Sequence, residues 1–209
     1  IFIVGETVLD IRADLARLGV NGRATTLATD FALFGGTLTD EVARINLRSY
    51  TFTSPWVAPT GYGDMATEPA EQVFYSARDI PRELRVINTS DRSLRAAIAL
   101  PSVPVRMLRS RDGARIFIST DSGQVVTINA TTNTIARIVN VRGSVAGLAV
   151  APDDRTVYVS NTDGTIYRVP PAASAESLLV VSGMPLGIGL SRDGMRLFVA
   201  RVTDHVAIV

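Results

Sequence analysis

The 209-residue sequence contains no cysteine and no lysine, one histidine and one tryptophan. Without cysteine there is no disulfide, no thiolate nucleophile and no thiolate-bound metal. Without lysine there is neither a Schiff-base amine nor a Walker-type lysine. All 21 basic residues are arginine, whose fixed fork of donors suits interface ion pairs. The one histidine, His205, sits beside Asp204 with no nucleophile and no companion at ligand spacing, so it reads as a loop or strand-end residue. No apolar run approaches the ~18–20 residues needed to span a membrane, and no signal peptide is visible. A net charge of +1 offers no electrostatic case for a nucleic-acid or anionic-membrane partner. The chain starts at Ile1 and stops in an apolar run at Val209, so both ends are expected to be internal to a longer protein or processed.

What the sequence does contain is a repeat. Arg109-Ser-Arg-Asp-Gly-Ala-Arg-Ile-Phe-Ile-Ser119, Val150-Ala-Pro-Asp-Asp-Arg-Thr-Val-Tyr-Val-Ser160 and Leu190-Ser-Arg-Asp-Gly-Met-Arg-Leu-Phe-Val-Ala200 align with one another. Their aspartates, Asp112, Asp153 and Asp193, recur at intervals of about 40 residues, a period that points to solenoids, propellers or arrays. The aromatics Phe117, Tyr158 and Phe198 keep the same intervals, and Phe74 and Leu33 extend their column upstream.

Each unit reads as four short strands. The first precedes an Asp-Gly, Asp-Asp or Glu-Pro turn, as in Val145–Val150, and the second is the apolar run around the aromatic. The third follows a glycine or polar turn, as in Gly123–Asn129 and Gly164–Val169. The fourth is more polar and alternating, as in Thr134–Val141. Only Asp10–Leu18 admits a helical reading, and strand columns fit it better. Second strands are apolar at successive positions, which requires both sheet faces to be covered. First strands carry a large column, Leu27, Met65, Met107, Leu148 and Ile188. Beside it runs a mostly small one, Ala28, Ala66, Leu108, Ala149 and Gly189. Small residues are expected where radially stacked sheets converge on an axis.

The expected fold is therefore all-β: a β-propeller of four-stranded antiparallel blades, about 40 residues each, six or seven in number. It forms one domain over residues 1–209, incomplete at both ends. A partial blade covers 1–22, four blades cover about 23–60, 61–101, 102–142 and 143–182, and a second partial blade covers 183–209. An incomplete ring leaves blade faces and strand edges that another surface has to cover.

These residues resemble the YVTN family of propeller repeats. Pro152-Asp-Asp-Arg-Thr-Val-Tyr-Val-Ser-Asn161 is similar to that family's turn and second strand, with Ser160 in place of Thr. Leu84–Thr89 and Val125–Thr131 are similar to its third strand, with Asn in place of Asp. The resemblance covers about Gly61 to Val209 and is weak over residues 1–60. It implies a lactonase-like propeller of six or seven blades and an extracytoplasmic location, periplasmic or at the cell surface.

No catalytic, cofactor-binding or metal-binding residue is assigned. Asp112, Asp153 and Asp193 are expected to shape turns on separate parts of the rim rather than converge on a cation. The glycine-rich pieces lack the strand–loop–helix context of phosphate sites. What remains is surface, with Arg23, Tyr62 and Arg142 in or beside loops joining one blade to the next, Trp56 on an outer strand, and Arg106 in an arginine cluster. These are the expected partner-binding residues, since Trp, Tyr and Arg anchor interfaces. The function expected is a non-catalytic interaction or structural module, a subunit or domain of a larger assembly with a protein partner. The alternative is a lactonase-like or quinoprotein-like enzyme using Ca²⁺ or a cofactor at the channel mouth.

Overall fold

The computed structural model describes residues 2–4, 7–9, 22–27, 31–36, 41–46, 56–57, 64–67, 72–202 and 206–208; at strands before residue 64 and at 206–208 it describes the backbone, with Asn46 exposed. Among the described residues there is no helix, and hence none long and apolar enough to cross a membrane. The chain divides into two compact units, Ile1–Ala97 and Ile98–Val209.

The first unit holds three antiparallel sheets. A hairpin pairs β1 (Phe2–Val4) with β2 (Thr7–Leu9). A four-stranded sheet runs in order through β3 (Gly22–Leu27), β4 (Phe31–Gly36), β5 (Glu41–Asn46) and β6 (Trp56–Val57). A third follows as β7 (Met65–Thr67), β8 (Val73–Arg78), β9 (Glu83–Asn88) and β10 (Leu94–Ala99), whose last residues cross the unit boundary.

The second unit repeats the pattern. One sheet is β11 (Pro104–Arg109), β12 (Arg115–Thr120), β13 (Gln124–Asn129) and β14 (Thr134–Asn140). The next is β15 (Val145–Val150), β16 (Val157–Asn161), β17 (Thr165–Val169) and β18 (Glu176–Val180). The last has β19 (Pro185–Leu190), β20 (Leu197–Arg201) and β21 (Val206–Ile208). Every pairing is between strands consecutive in sequence, so each sheet is an up-and-down meander. The strands read at Val145–Val150, Gly123–Asn129, Gly164–Val169 and Thr134–Val141 fall within a residue of β15, β13, β17 and β14, and Asp10–Leu18 lies outside the described residues.

Two cores follow from the double-sided apolar strands. Phe117 and Val125 from the β11–β14 sheet meet Leu148, Val157, Val159 and Val169 from the β15–β18 sheet. On the far side of that second sheet, Ile166 and Val181 meet Leu197 and Val199, with Tyr158, Ile188 and Leu190 packed against them. Adjacent residues of β16 thus serve different cores, as the period of two along a strand dictates. Burying an aromatic such as Phe117, 2% exposed, contributes on the order of 3 kcal/mol.

The ladders give the small first-strand column a second reason. Ala66 pairs with Tyr75, Leu108 with Phe117, Ala149 with Tyr158 and Gly189 with Phe198. A small residue opposite a ring leaves the ring room on a shared face, and Leu108 is the exception. In the β7–β10 sheet the aromatic of this column is therefore Tyr75, one residue beyond the expected Phe74. Phe74 points to the other face, opposite Thr67, and is fully buried.

Two neighbouring sheets are in close backbone contact at one glycine. A Cβ added to Gly147 on β15 would stand 2.9 Å from Gly187 Cα and 3.0 Å from the Ile188 nitrogen on β19. Gly187 holds the same position one sheet later, opposite Ala200 where Gly147 is opposite Ser160. A Cβ there would meet nothing within 4 Å. Gly147→Ala is therefore expected to destabilise the chain by about 1–3 kcal/mol through overpacking of backbone on backbone. Gly187→Ala is expected to change its stability by less than about 0.5 kcal/mol. Urea unfolding of the two variants beside the parent checks both.

Candidate interaction surfaces

In the last three sheets the hairpin between first and second strands is built around an aspartate. Asp112 accepts hydrogen bonds from the Ser110 hydroxyl (2.6 Å) and the Ala114 amide (2.9 Å). Asp193 does the same with the Ser191 hydroxyl (2.5 Å) and the Met195 amide (3.0 Å). Asp153 takes the amides of Arg155 (2.9 Å) and Thr156 (2.8 Å) and the Thr156 hydroxyl (2.6 Å). The turns close through the amides of Gly113, Asp154 and Gly194, all at positive φ, onto the carbonyls of Ser110, Ala151 and Ser191. This chemistry accounts for the recurring aspartates as turn formers. Neighbouring turns also touch, since the Arg111 amide donates to Asp154 Oδ1 at 2.6 Å.

The opposite end of the sheets carries the loops that join one sheet to the next. They are tied to the hairpins between second and third strands by a bond that repeats. The amides of Val141 and Val181 donate to the carbonyls of Gly123 (2.7 Å) and Gly164 (2.9 Å). Gly164, at φ +93°, also lies so close that a Cβ would stand 2.4 Å from the Val181 oxygen. The Asn161 side-chain amide donates to the Arg142 carbonyl, and the Arg201 guanidinium donates to the Ser182 carbonyl at 2.8 Å.

Of the expected partner-binding residues, Arg106 and Arg142 are the two whose side chains are described. Arg142 is exposed in a joining loop, as its sequence position implied. Arg106 is exposed on β11, its amide donating to Ser119 Oγ at 3.2 Å. Arg23 lies within β3 rather than in the preceding loop, at the register shift between Gly22 and Ala24. The same shift recurs at Val105, Ala146 and Leu186, so a bulge in the first strand belongs to the repeat. Trp56 is on β6, the outermost strand of its sheet, where a neighbouring proline is tolerated. Tyr62 and His205 lie outside the described residues.

A surface the sequence did not single out is the far face of the last sheet. The buried second-strand face of β12 and β16 includes Ser119 and Ser160, each fully buried. The matching residue on β20, Ala200, is exposed, Phe198 is half-buried, and Gly187 and Gly189 meet nothing within 4 Å. Leu186, in the bulge of β19, and Val202, just beyond β20, are each more than half exposed. The signal that could have found it was the alignment itself: Ala200 replaces a serine in a column whose neighbours are covered by the next repeat. Among the described residues, no group of three or more His, Asp or Glu is arranged to hold a metal ion.

Comparison with protein-family models finds no match, and comparison with curated proteins finds none either.

The turn aspartates make stability depend on acid. The Ser110 hydroxyl and Ala114 amide hold Asp112 below the usual aspartate range. The Ser191 hydroxyl and Met195 amide do so for Asp193. For Asp153, burial pushes upward, and the Thr156 and Arg155 hydrogen bonds together outweigh it. A carboxylate lowered on folding stabilises the fold above its unfolded value of about 3.9, and that contribution is lost as pH falls through the folded value. The urea midpoint is thus expected to fall below about pH 4. In the triple variant Asp112→Asn, Asp153→Asn, Asp193→Asn that acid-side fall should flatten; an unchanged profile would assign it to other groups.

Proposed function

We propose that the chain is a propeller-type module that does no chemistry of its own and serves as a subunit or domain of a larger extracytoplasmic assembly. The observation that carries this reading is the uncovered face of β19 and β20. The counterparts of Ala200 on the two preceding sheets, Ser119 and Ser160, are buried, and the face's glycines stand ready for an approach as close as that at Gly147. An apolar sheet face left in water costs free energy that a covering surface recovers. The propeller arrangement is supported by first strands that lie side by side within each unit, β3 with β7, and β11 with β15 with β19. The extracytoplasmic assignment rests on the resemblance to YVTN repeats.

The native particle, purified gently from its source, is expected to be larger than the 22.4 kDa chain and to contain stoichiometric protein partners identifiable by mass spectrometry. Ala200→Arg puts a long cation on the uncovered face. It is expected to cut co-purification at least tenfold while leaving the thermal unfolding of the isolated chain unchanged. A native particle consisting of the lone monomer would overturn the subunit reading.

A further inference from the structure

Between the β11–β14 and β15–β18 sheets, at the end occupied by the aspartate turns, lies a cleft of about 430 Å³. That volume is within the range of small-molecule sites. Its floor is apolar, with Phe117, Val157 and Val169 all nearly fully buried. Its walls carry three guanidinium groups, Arg115, Arg137 and Arg155, and no carboxylate is among its lining residues.

The three cations are differently held. Arg137 donates to the Pro170 carbonyl (2.6 Å) and to the Ala173 carbonyl, both neutral acceptors. These bonds fix the plane of its fork without cancelling its charge, and a guanidinium has five N–H donors, so donors remain. Arg115 is paired with Asp112 at 3.4 Å, but both side chains are about a third or more exposed, so the pair is weak and open to exchange. Arg155 is exposed, and the nearby Asp153 carboxylate already accepts from Thr156 and from two backbone amides.

We infer that this cleft is a binding site for an organic anion: a carboxylate carried on a short apolar stem. The forks of Arg137 and Arg155 take the carboxylate by charge-assisted bonds, and the stem lies on Phe117, Val157 and Val169. An apolar floor under cationic walls favours an organic acid over inorganic phosphate, which has nothing to place on that floor. The inference does not depend on the subunit reading, since the cleft lies between two sheets of this chain. A free fatty acid and the C-terminal carboxylate of a peptide present the same chemistry.

The test is a calorimetric and amide-shift titration of the whole chain. The probes are hexanoate, hexanamide, inorganic phosphate and a peptide ending in leucine, as free acid and as amide. Hexanoate is expected to bind in the millimolar range and to shift amides of β12 and β16. Hexanamide and phosphate should bind at least tenfold more weakly. Arg155→Ala, at an exposed position outside any core, should weaken hexanoate about tenfold, the size expected for one charged hydrogen-bonded contact. Arg192→Ala, which removes an equally exposed charge from the next turn, should not. If the free-acid peptide binds much more tightly than hexanoate, and its amide does not, the natural ligand is a chain terminus; if not, it is a free acid. Equal binding of hexanoate and hexanamide, shifts elsewhere on the chain, or equal losses in the two arginine variants would overturn the site.

Discussion

The structure depends on how closely one sheet can lie against the next. At Gly147 the backbone of β15 approaches that of β19 within the space a single Cβ would fill. That approach lets Tyr158 and Ile166 share a core with Ile188, Leu190, Leu197 and Val199. The same logic governs the ladder beside it, where a small first-strand residue faces an aromatic on the second strand in three of four sheets. Removing water from these faces is the main favourable term, and it is available only to a sheet that has a neighbour. A repeat of this kind is stable as a stack, so each sheet depends on its neighbours.

The ends of the sheets follow from that stacking. At one end, aspartate side chains stand in for missing backbone partners and fix the hairpins, and adjacent hairpins touch through Arg111 and Asp154. At the other, the joining loops are anchored to glycine carbonyls at Gly123 and Gly164. Both ends therefore satisfy backbone groups within the chain and leave side chains projecting, the arrangement expected of surfaces that carry recognition on a fixed scaffold. The cleft lined by Arg115, Arg137 and Arg155 opens between two of these sheets.

Much of the architecture was legible because the repeat places the same physical requirement in the same column. Strands with both faces apolar, Asp-Gly turns and glycines after polar turns were all readable from spacing alone. The aromatic column failed at Phe74-Tyr75, where two adjacent rings compete and only the ladder decides which shares a face with Ala66. Arg23 was read as a loop residue because a first-strand bulge carries no residue-type signature. The uncovered face and the arginine cleft were not singled out. The cleft is made by residues from two repeats, and one sequence does not say which columns lie opposite one another, while the uncovered face lies in one repeat and shows only in the exposure of Ala200.

The proposal stands or falls on whether another polypeptide surface covers the face bearing Phe198 in the intact assembly. Hydroxyl-radical footprinting measures it directly, with the buried Phe117 as an internal reference in the same chain. The account predicts that Phe198 is oxidised more readily than Phe117 in the isolated chain and is as protected as Phe117 in the native particle. Equal oxidation of Phe198 in the chain and in the particle would contradict it.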